Sequence, residues 1–134
     1  PGEKFVVGTD KSTKLWKTYI DAHNNRDLES LLLMESDSIL IVGPTGDRIS
    51  GKAQHKQALS AWFAAEDPKW NMYWAMPYKG VSGGDEWIIA GHEVTTTVQG
   101  KEVKQNHMID AKISKDGKVE LFYVYSMDIP KPVK

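Results

Sequence analysis

A chain of 134 residues is long enough to bury one hydrophobic core without a metal or cross-links, and a single domain over residues 1–134 accounts for it. Its formal net charge of −1, with 26% charged residues of both signs interspersed, leaves no concentrated positive patch for a nucleic acid or an anionic membrane surface. The absence of cysteine excludes disulfides, thiolate metal sites and a cysteine nucleophile, and no apolar run approaches the roughly 18 to 20 residues of a membrane span.

From Lys14 to His23 the apolar residues Leu15, Trp16, Tyr19 and Ile20 recur at helical spacing behind the caps Asp10 and Ser12, which predicts an amphipathic first helix. Asn24 and Asn25 end it, and Asp27 is placed to cap a short second helix through Leu31, Leu32 and Leu33. Ser38 to Val42, "SILIV", is a β-rich run followed by the turn residues of "GPTGDR". Ser50 is placed to cap a third helix whose apolar face is Ala58, Leu59, Trp62 and Phe63, and Asp67-Pro68 stops it. Residues 70 to 127 then read as four strands separated by "SGGD", "QG" and "KDG". Helices followed by strands predict an α+β fold, with three N-terminal helices packed on a curved, mainly antiparallel sheet.

The last two hairpins carry their own register. A two-residue turn at Gln99-Gly100 sets His92 opposite His107 and Ala90 opposite Ile109. A three-residue loop at Lys115-Asp116-Gly117, with Gly117 left-handed, sets Ile113 opposite Val119, Ala111 opposite Leu121, Ile109 opposite Tyr123 and His107 opposite Tyr125. One face then collects Ile88, Ala90, Val94, Ile109, Ala111, Ile113, Val119 and Leu121 as core. The same face carries a polar row of His92, His107 and Tyr125. Trp87, Ile89, Met108, Phe122 and Val124 fall on the opposite face, and a sheet apolar on both sides needs a second cover, predicted to be a second copy of the chain.

Two imidazoles on one pocket wall can divide acid and base roles while a phenol stabilises an enolate or alkoxide, so His92, His107 and Tyr125 are the candidate catalytic residues. The alternative is a pair of hydrogen-bonded core histidines packed on a tyrosine. His23, in the last turn of the first helix, is placed to face the same pocket, although a histidine there also complements the helix dipole. No His-x-His or His-x-x-x-His spacing supports a metal, and no cofactor is expected. In "KWNMYWAMPY", alternation puts Trp70, Met72, Trp74 and Met76 on one face and Asn71, Tyr73 and Ala75 on the other, which suits either a ring-binding wall or ordinary packing. A phosphate-binding loop and a Gly-x-Ser-x-Gly elbow are both missing.

Three segments, "WKTYIDAHNNRDLESLL", "SILIVGPTGDRISGKAQHKQALSAWF" and "IDAKISKDGKVELFYVYS", resemble the SnoaL-like branch of the NTF2-like superfamily. The resemblance implies a cone-shaped α+β barrel with a pocket between sheet and helices, and a homodimer through the outer face of the sheet. It spans isomerases, cyclases, dehydratases, epoxide hydrolases and non-catalytic binding modules, so the fold does not settle the activity. Two carboxylic acids of the similar ketosteroid isomerases fall here on Gly43, before Pro44, and on Ile109, and the Tyr-Asp pair of scytalone-dehydratase-like members becomes His23-Asn24.

The expected function is a pocket for a small hydrophobic carbonyl or hydroxyl compound, with acid–base catalysis of a cyclisation, isomerisation or dehydration. The alternative is a non-catalytic binding or dimerisation module of the same fold. Tyr19, His23, Trp62, Tyr73, Ile109 and Tyr123 are the expected ligand contacts. The compartment stays open between cytoplasmic and, if a leader was removed ahead of Pro1, exported.

Overall fold

The computed structural model describes residues 3–130 and 132. In chain order the elements are β1 (Phe5–Val7), α1 (Asp10–Asn24), α2 (Leu28–Leu33), β2 (Glu35–Val42), β3 (Arg48–Ser50), α3 (Lys52–Glu66), β4 (Lys69–Gly80), β5 (Glu86–Val98), β6 (Lys101–Ile113) and β7 (Val119–Asp128). The strands form one mixed sheet in the order β1-β4-β5-β6-β7-β2-β3, parallel between β2 and β7 and antiparallel elsewhere. The short strands β1 and β3 have no counterpart in the sequence reading. The "GPTGDR" turn folds β3 back onto the end of β2.

Helix α1 buries Trp16, Tyr19, Ile20 and His23, one face at helical spacing. Its first turn is capped from across the molecule. Glu86 Oε1, on β5, accepts from the Thr9 backbone N–H at 2.8 Å and from Ser12 Oγ at 2.9 Å, placing a carboxylate at the positive end of the helix. Asp27 caps α2 as its sequence suggests, accepting from the Ser30 N–H at 3.1 Å. For α3 the start lies one residue beyond the expected cap. Ser50 ends β3, paired with Leu40, and Gly51 is the N-cap at φ 84. Asp67, left-handed and followed by Pro68, ends that helix.

The hairpin of β5 and β6 has the register read from its turn, with Ala90 opposite Ile109 and His92 opposite His107. The hairpin of β6 and β7 keeps that agreement only for Ile113 and Val119. A bulge at Glu120 then moves β7 by one residue, so Ala111 faces Phe122, Ile109 faces Val124 and His107 faces Ser126. Phe122 and Val124 are therefore on the inner face, whereas Leu121, Tyr123 and Tyr125 lie on the outer one. A second bulge, at Tyr73, breaks the alternation of β4. Trp70 and Met72 pack inward, then Trp74 and Met76 turn outward and Ala75 takes the inner side opposite Ala90.

The core lies between the inner face of the sheet and the helices, around Trp16, Tyr19, Ile39, Ile88, Ala90, Ala111 and Val119, each almost fully removed from solvent. On the outer face, Trp74, Gly91, Met108 and Tyr125 line up across four strands, and Met76 and Met127 flank them. Gly91 has no Cβ to obstruct the indole: a Cβ there would stand 2.7 Å from Trp74 Nε1. Trp74, Met76, Met108, Tyr125 and Met127 are all exposed, so the outer face is apolar, but of the residues expected there Trp87, Ile89 and Met108 lie on it and Phe122 and Val124 do not.

Candidate functional site

A cavity of about 380 Å³ opens between α1, α3 and the inner face of β2, β6 and β7. That volume lies within the roughly 300–1,000 Å³ of sites for small ligands. Its wall is mostly aromatic and branched aliphatic, with Trp16, Ile41, Leu59, Trp62, Trp70 and Phe122 among the apolar groups. The polar lining is Tyr19, His23, His55, Gln105, His107 and Ser126, and among the described residues no Asp, Glu, Lys or Arg side chain lines it.

Just behind this wall lies a buried carboxylate. Glu35 opens β2 on the same side as Ile39 and Ile41, and only 1% of it is exposed. Its Oε2 accepts from the Tyr19 hydroxyl and from His55 Nδ1, the latter at 2.6 Å. Its Oε1 is the buried side-chain oxygen without a hydrogen-bond partner among the described residues. Burial, and then the adjacent Glu35 charge, push the Tyr19 phenol well above its ordinary range, so it remains a donor to that carboxylate.

His55 comes from the first turns of α3 on the stripe that continues as Leu59 and Trp62. With Nδ1 held by Glu35, its Nε2 is the ring nitrogen left for the cavity. His23, one helix away, has its ring centroid 6.4 Å from that of His55. His23 Nδ1 lies 2.7 Å from the Tyr19 carbonyl oxygen of its own helix. A carbonyl only accepts, so Nδ1 carries the proton and Nε2 a lone pair. Burial lowers the His23 pKa from 6.5 to about 3, outweighing that bond, which keeps the ring neutral.

His92 and His107 stand side by side as the turn register predicts, but in different roles. His92 is fully buried beneath Trp16 and does not line the cavity. Its Nε2 accepts from Trp16 Nε1 at 3.1 Å, and its Nδ1 donates to the His107 carbonyl at 3.1 Å. Both ring nitrogens are occupied, and burial lowers the pKa to about 4. This is the hydrogen-bonded core histidine that the sequence left open. His107 does line the cavity, and burial lowers its pKa.

Tyr125 is not part of the row. The bulge at Glu120 places it on the outer face, 57% exposed, and Ser126 takes the position opposite His107. Tyr123 is turned outward by the same slip, opposite Asp110. Tyr73 sits at the β4 bulge on the outer face, where its hydroxyl donates to Asn106 Oδ1 at 3.1 Å. Of the remaining expected contacts, Tyr19, His23, Trp62 and Ile109 do line the cavity.

Glu35 and His55 escaped the sequence reading although both had a signal. His55 lies three and four residues ahead of Ala58 and Leu59, on the apolar stripe of α3. Glu35, three residues ahead of the run read as a strand, shares the parity of Ile39 and Ile41 in the sequence, although an exposed Asp37 and a shift of register interrupt the strand between them. Among the described residues no group of three or more His, Cys, Asp or Glu is placed to hold a metal ion. A larger, open groove of about 830 Å³ runs along Lys11, Lys14, Asp85, Lys115 and Asp116; its mixed, solvated charges offer neither enclosure nor a convergent set of groups.

No family model and no curated protein matches the chain. Solved structures do. The epoxide hydrolase/cyclase-like enzyme SalBIII, which acts in pyran ring formation in the polyether salinomycin, superposes with a TM-score of 0.76 at 15% identity, covering 88% of this chain and 92% of that one. A ketosteroid isomerase-like protein from Kribbella flavida gives 0.75 at 16% identity over 96% of this chain and 86% of its own. RV0760c from Mycobacterium tuberculosis, in complex with estradiol-17beta-hemisuccinate, gives 0.71 at 16% identity over 86% and 92%. At such identities the likeness establishes architecture and leaves chemistry to the site. The chain has the NTF2-like fold shared by ketosteroid isomerase-like proteins, SnoaL-like cyclases and epoxide hydrolase-like proteins.

Proposed function

We propose that the cavity binds a small, neutral, largely apolar molecule carrying a hydroxyl or carbonyl group, and that the Glu35–His55 pair moves a proton on it. The observation that carries this reading is a buried imidazole whose Nδ1 is committed to a buried carboxylate while its Nε2 is left for an apolar cavity. A carboxylate on Nδ1 fixes the tautomer, orients the ring and stabilises the charge that develops when Nε2 takes a proton. The Tyr19 hydroxyl donates to the same carboxylate oxygen. The absence of charged side chains from the lining favours a neutral ligand, because an ion would lose its hydration without finding a counter-charge.

His107 remains in the candidate acid–base set at the wall beside Gln105 and Ser126. His92 acts behind it as a support for its backbone. Tyr125 and Tyr123 belong to the outer face, where the exposed aromatic and methionine row supports a second copy of the chain as its cover.

The test is a panel of neutral bicyclic alcohols, phenols and ketones titrated against the protein while the histidine ring resonances are followed by NMR. Binding in the cavity moves His23 and His55 and leaves His92 in place. Any binder is then incubated in heavy water, and deuterium incorporation into its carbon skeleton is measured. General acid–base catalysis is worth roughly 10²–10⁴-fold, so His55→Phe should slow exchange by at least about 100-fold. A binder whose exchange is unaffected by His55→Phe, or by the protein itself, leaves the non-catalytic binding module as the reading. No binder at all removes both.

A further inference from the structure

The hydrogen-bond inventory of the cavity restricts its ligand beyond size and polarity. His23 is the group whose proton position is fixed by covalently anchored surroundings. Its Nδ1 faces the carbonyl of Tyr19 one turn earlier in α1, at 2.7 Å, and that carbonyl has no hydrogen to give. His23 lines the cavity, and its Nε2 has no partner among the described residues. It is therefore a pure acceptor. Changing that would require either flipping the ring, which orphans the Nδ1 bond, or charging an imidazole that is 4% exposed and packed between Tyr19 and Trp70, at centroid distances of 4.6 and 5.1 Å. Burial holds its pKa near 3, in agreement with the packing.

His55 is different, since protonation at Nε2 turns it from acceptor to donor while Glu35 keeps Nδ1. Facing each other across 6.4 Å, the two rings offer one fixed acceptor and one group that can switch. A carbonyl compound can meet only the second. A hydroxyl can meet both, donating to His23 Nε2 and exchanging its role with His55. Trp70, Phe122 and Trp62 flank them with apolar rings, and no described side chain donates to His23 Nε2 in the structure.

We propose that the natural ligand of this cavity is an alcohol, phenol or enol whose hydroxyl donates to His23 Nε2, and that His23 selects it over the ketone of the same skeleton. The proposal rests on the reading of the cavity as a small-molecule pocket, which it sharpens into a substrate class.

Borneol and camphor are a suitable pair of probes, because they share one rigid bicyclic skeleton and differ in hydroxyl against carbonyl. Dissociation constants are measured for both with wild-type protein and with His23→Phe, which keeps an aromatic ring and removes the acceptor. In the wild type borneol should bind about tenfold more tightly than camphor, the consequence of leaving a buried acceptor unpaired. In His23→Phe that preference should vanish through weaker borneol binding, with camphor unchanged. Nitrogen-15 NMR of the unliganded wild type, which needs no variant to fold, should show His23 protonated at Nδ1. Equal affinities, a preference for camphor, or a proton on Nε2 would overturn the proposal while leaving the pocket intact. Failure of both probes to bind would overturn the pocket reading and this selection with it.

Discussion

Replacing His92 by glutamine tests whether that imidazole is a structural or a titrating group. In the fold it is neutral, with its pKa lowered from 6.5 to about 4 by burial, and both nitrogens are occupied. Between those two values the unfolded chain binds a proton at His92 that the folded chain does not, so unfolding becomes easier as pH falls. The stability it contributes is complete above about pH 6.5, is lost progressively down to about pH 4 and changes little below. At about 1.4 kcal/mol per pH unit the loss from His92 is roughly 3 kcal/mol. His23, lowered to about 3, acts in the same direction over a wider range. Together they form a sizeable part of the roughly 5–15 kcal/mol that holds an ordinary domain folded.

Glutamine keeps an acceptor for the Trp16 indole N–H but cannot titrate. His92→Gln is thus expected to cost about 1–3 kcal/mol near neutral pH, where the donor to the His107 carbonyl is lost, and to flatten the acid slope by about one proton. The assay is urea unfolding, followed by tryptophan fluorescence at fixed protein concentration, across the interval from pH 6.5 to 4. The carboxylates whose pKa values are lowered by hydrogen bonds, Asp27 from Ser30, Asp47 from Thr45 and Asp67 from Arg26, lose their contribution at lower pH and do not confuse the interval. A variant with the wild-type slope would show that His92 is not held neutral in the fold.

Removing the carboxylate of Glu35 with Glu35→Ala strips the acceptor from two buried donors, Tyr19 Oη and His55 Nδ1, and is expected to cost about 3 kcal/mol or more in the same urea assay; a loss below about 1 kcal/mol would mean the cluster is hydrated. On the outer face, Met108→Lys puts a charge at the centre of the Trp74, Met108 and Tyr125 row. It should convert a dimer to a monomer by light scattering at micromolar concentration, and a wild-type chain that is already monomeric there would contradict the proposed second copy.

Much of the architecture was legible because it is encoded locally. The 3.6-residue spacing of Leu15, Trp16, Tyr19 and Ile20, the Asp27 cap and the stop at Asp67-Pro68 need no distant partner to be read. Two-residue turn geometry at Gln99-Gly100, with both residues at positive φ, set His92 against His107 correctly. Gly117 is left-handed as its loop suggested. The first pair of that hairpin, Ile113 with Val119, follows from it.

The errors of strand register have one physical origin. Side chains alternate along a strand with period two, so one extra residue transfers everything beyond it to the other face. The bulge at Glu120 exchanged Tyr123 and Tyr125 for Val124 and Ser126 on the cavity wall, and the one at Tyr73 turned Trp74 and Met76 outward. Nothing in the neighbouring residues announces either bulge. Each shows only in the pairing of its strand with a neighbour, a register settled between strands rather than within one.

The same division runs through the candidate site. Sequence alone placed His23 in the last turn of the first helix and set two histidines abreast on the core face. It could not decide which imidazoles would face a cavity and which would be consumed by the core, because that depends on where an indole N–H, a backbone carbonyl and a carboxylate arrive from elsewhere in the chain. The tertiary fold brought Trp16 onto His92, closing it, and Glu35 onto His55, leaving one nitrogen open. A side chain's chemistry is set by which of its polar atoms remain unpaired after burial, and pairing across 20 or 76 residues of sequence is a property only of the folded chain.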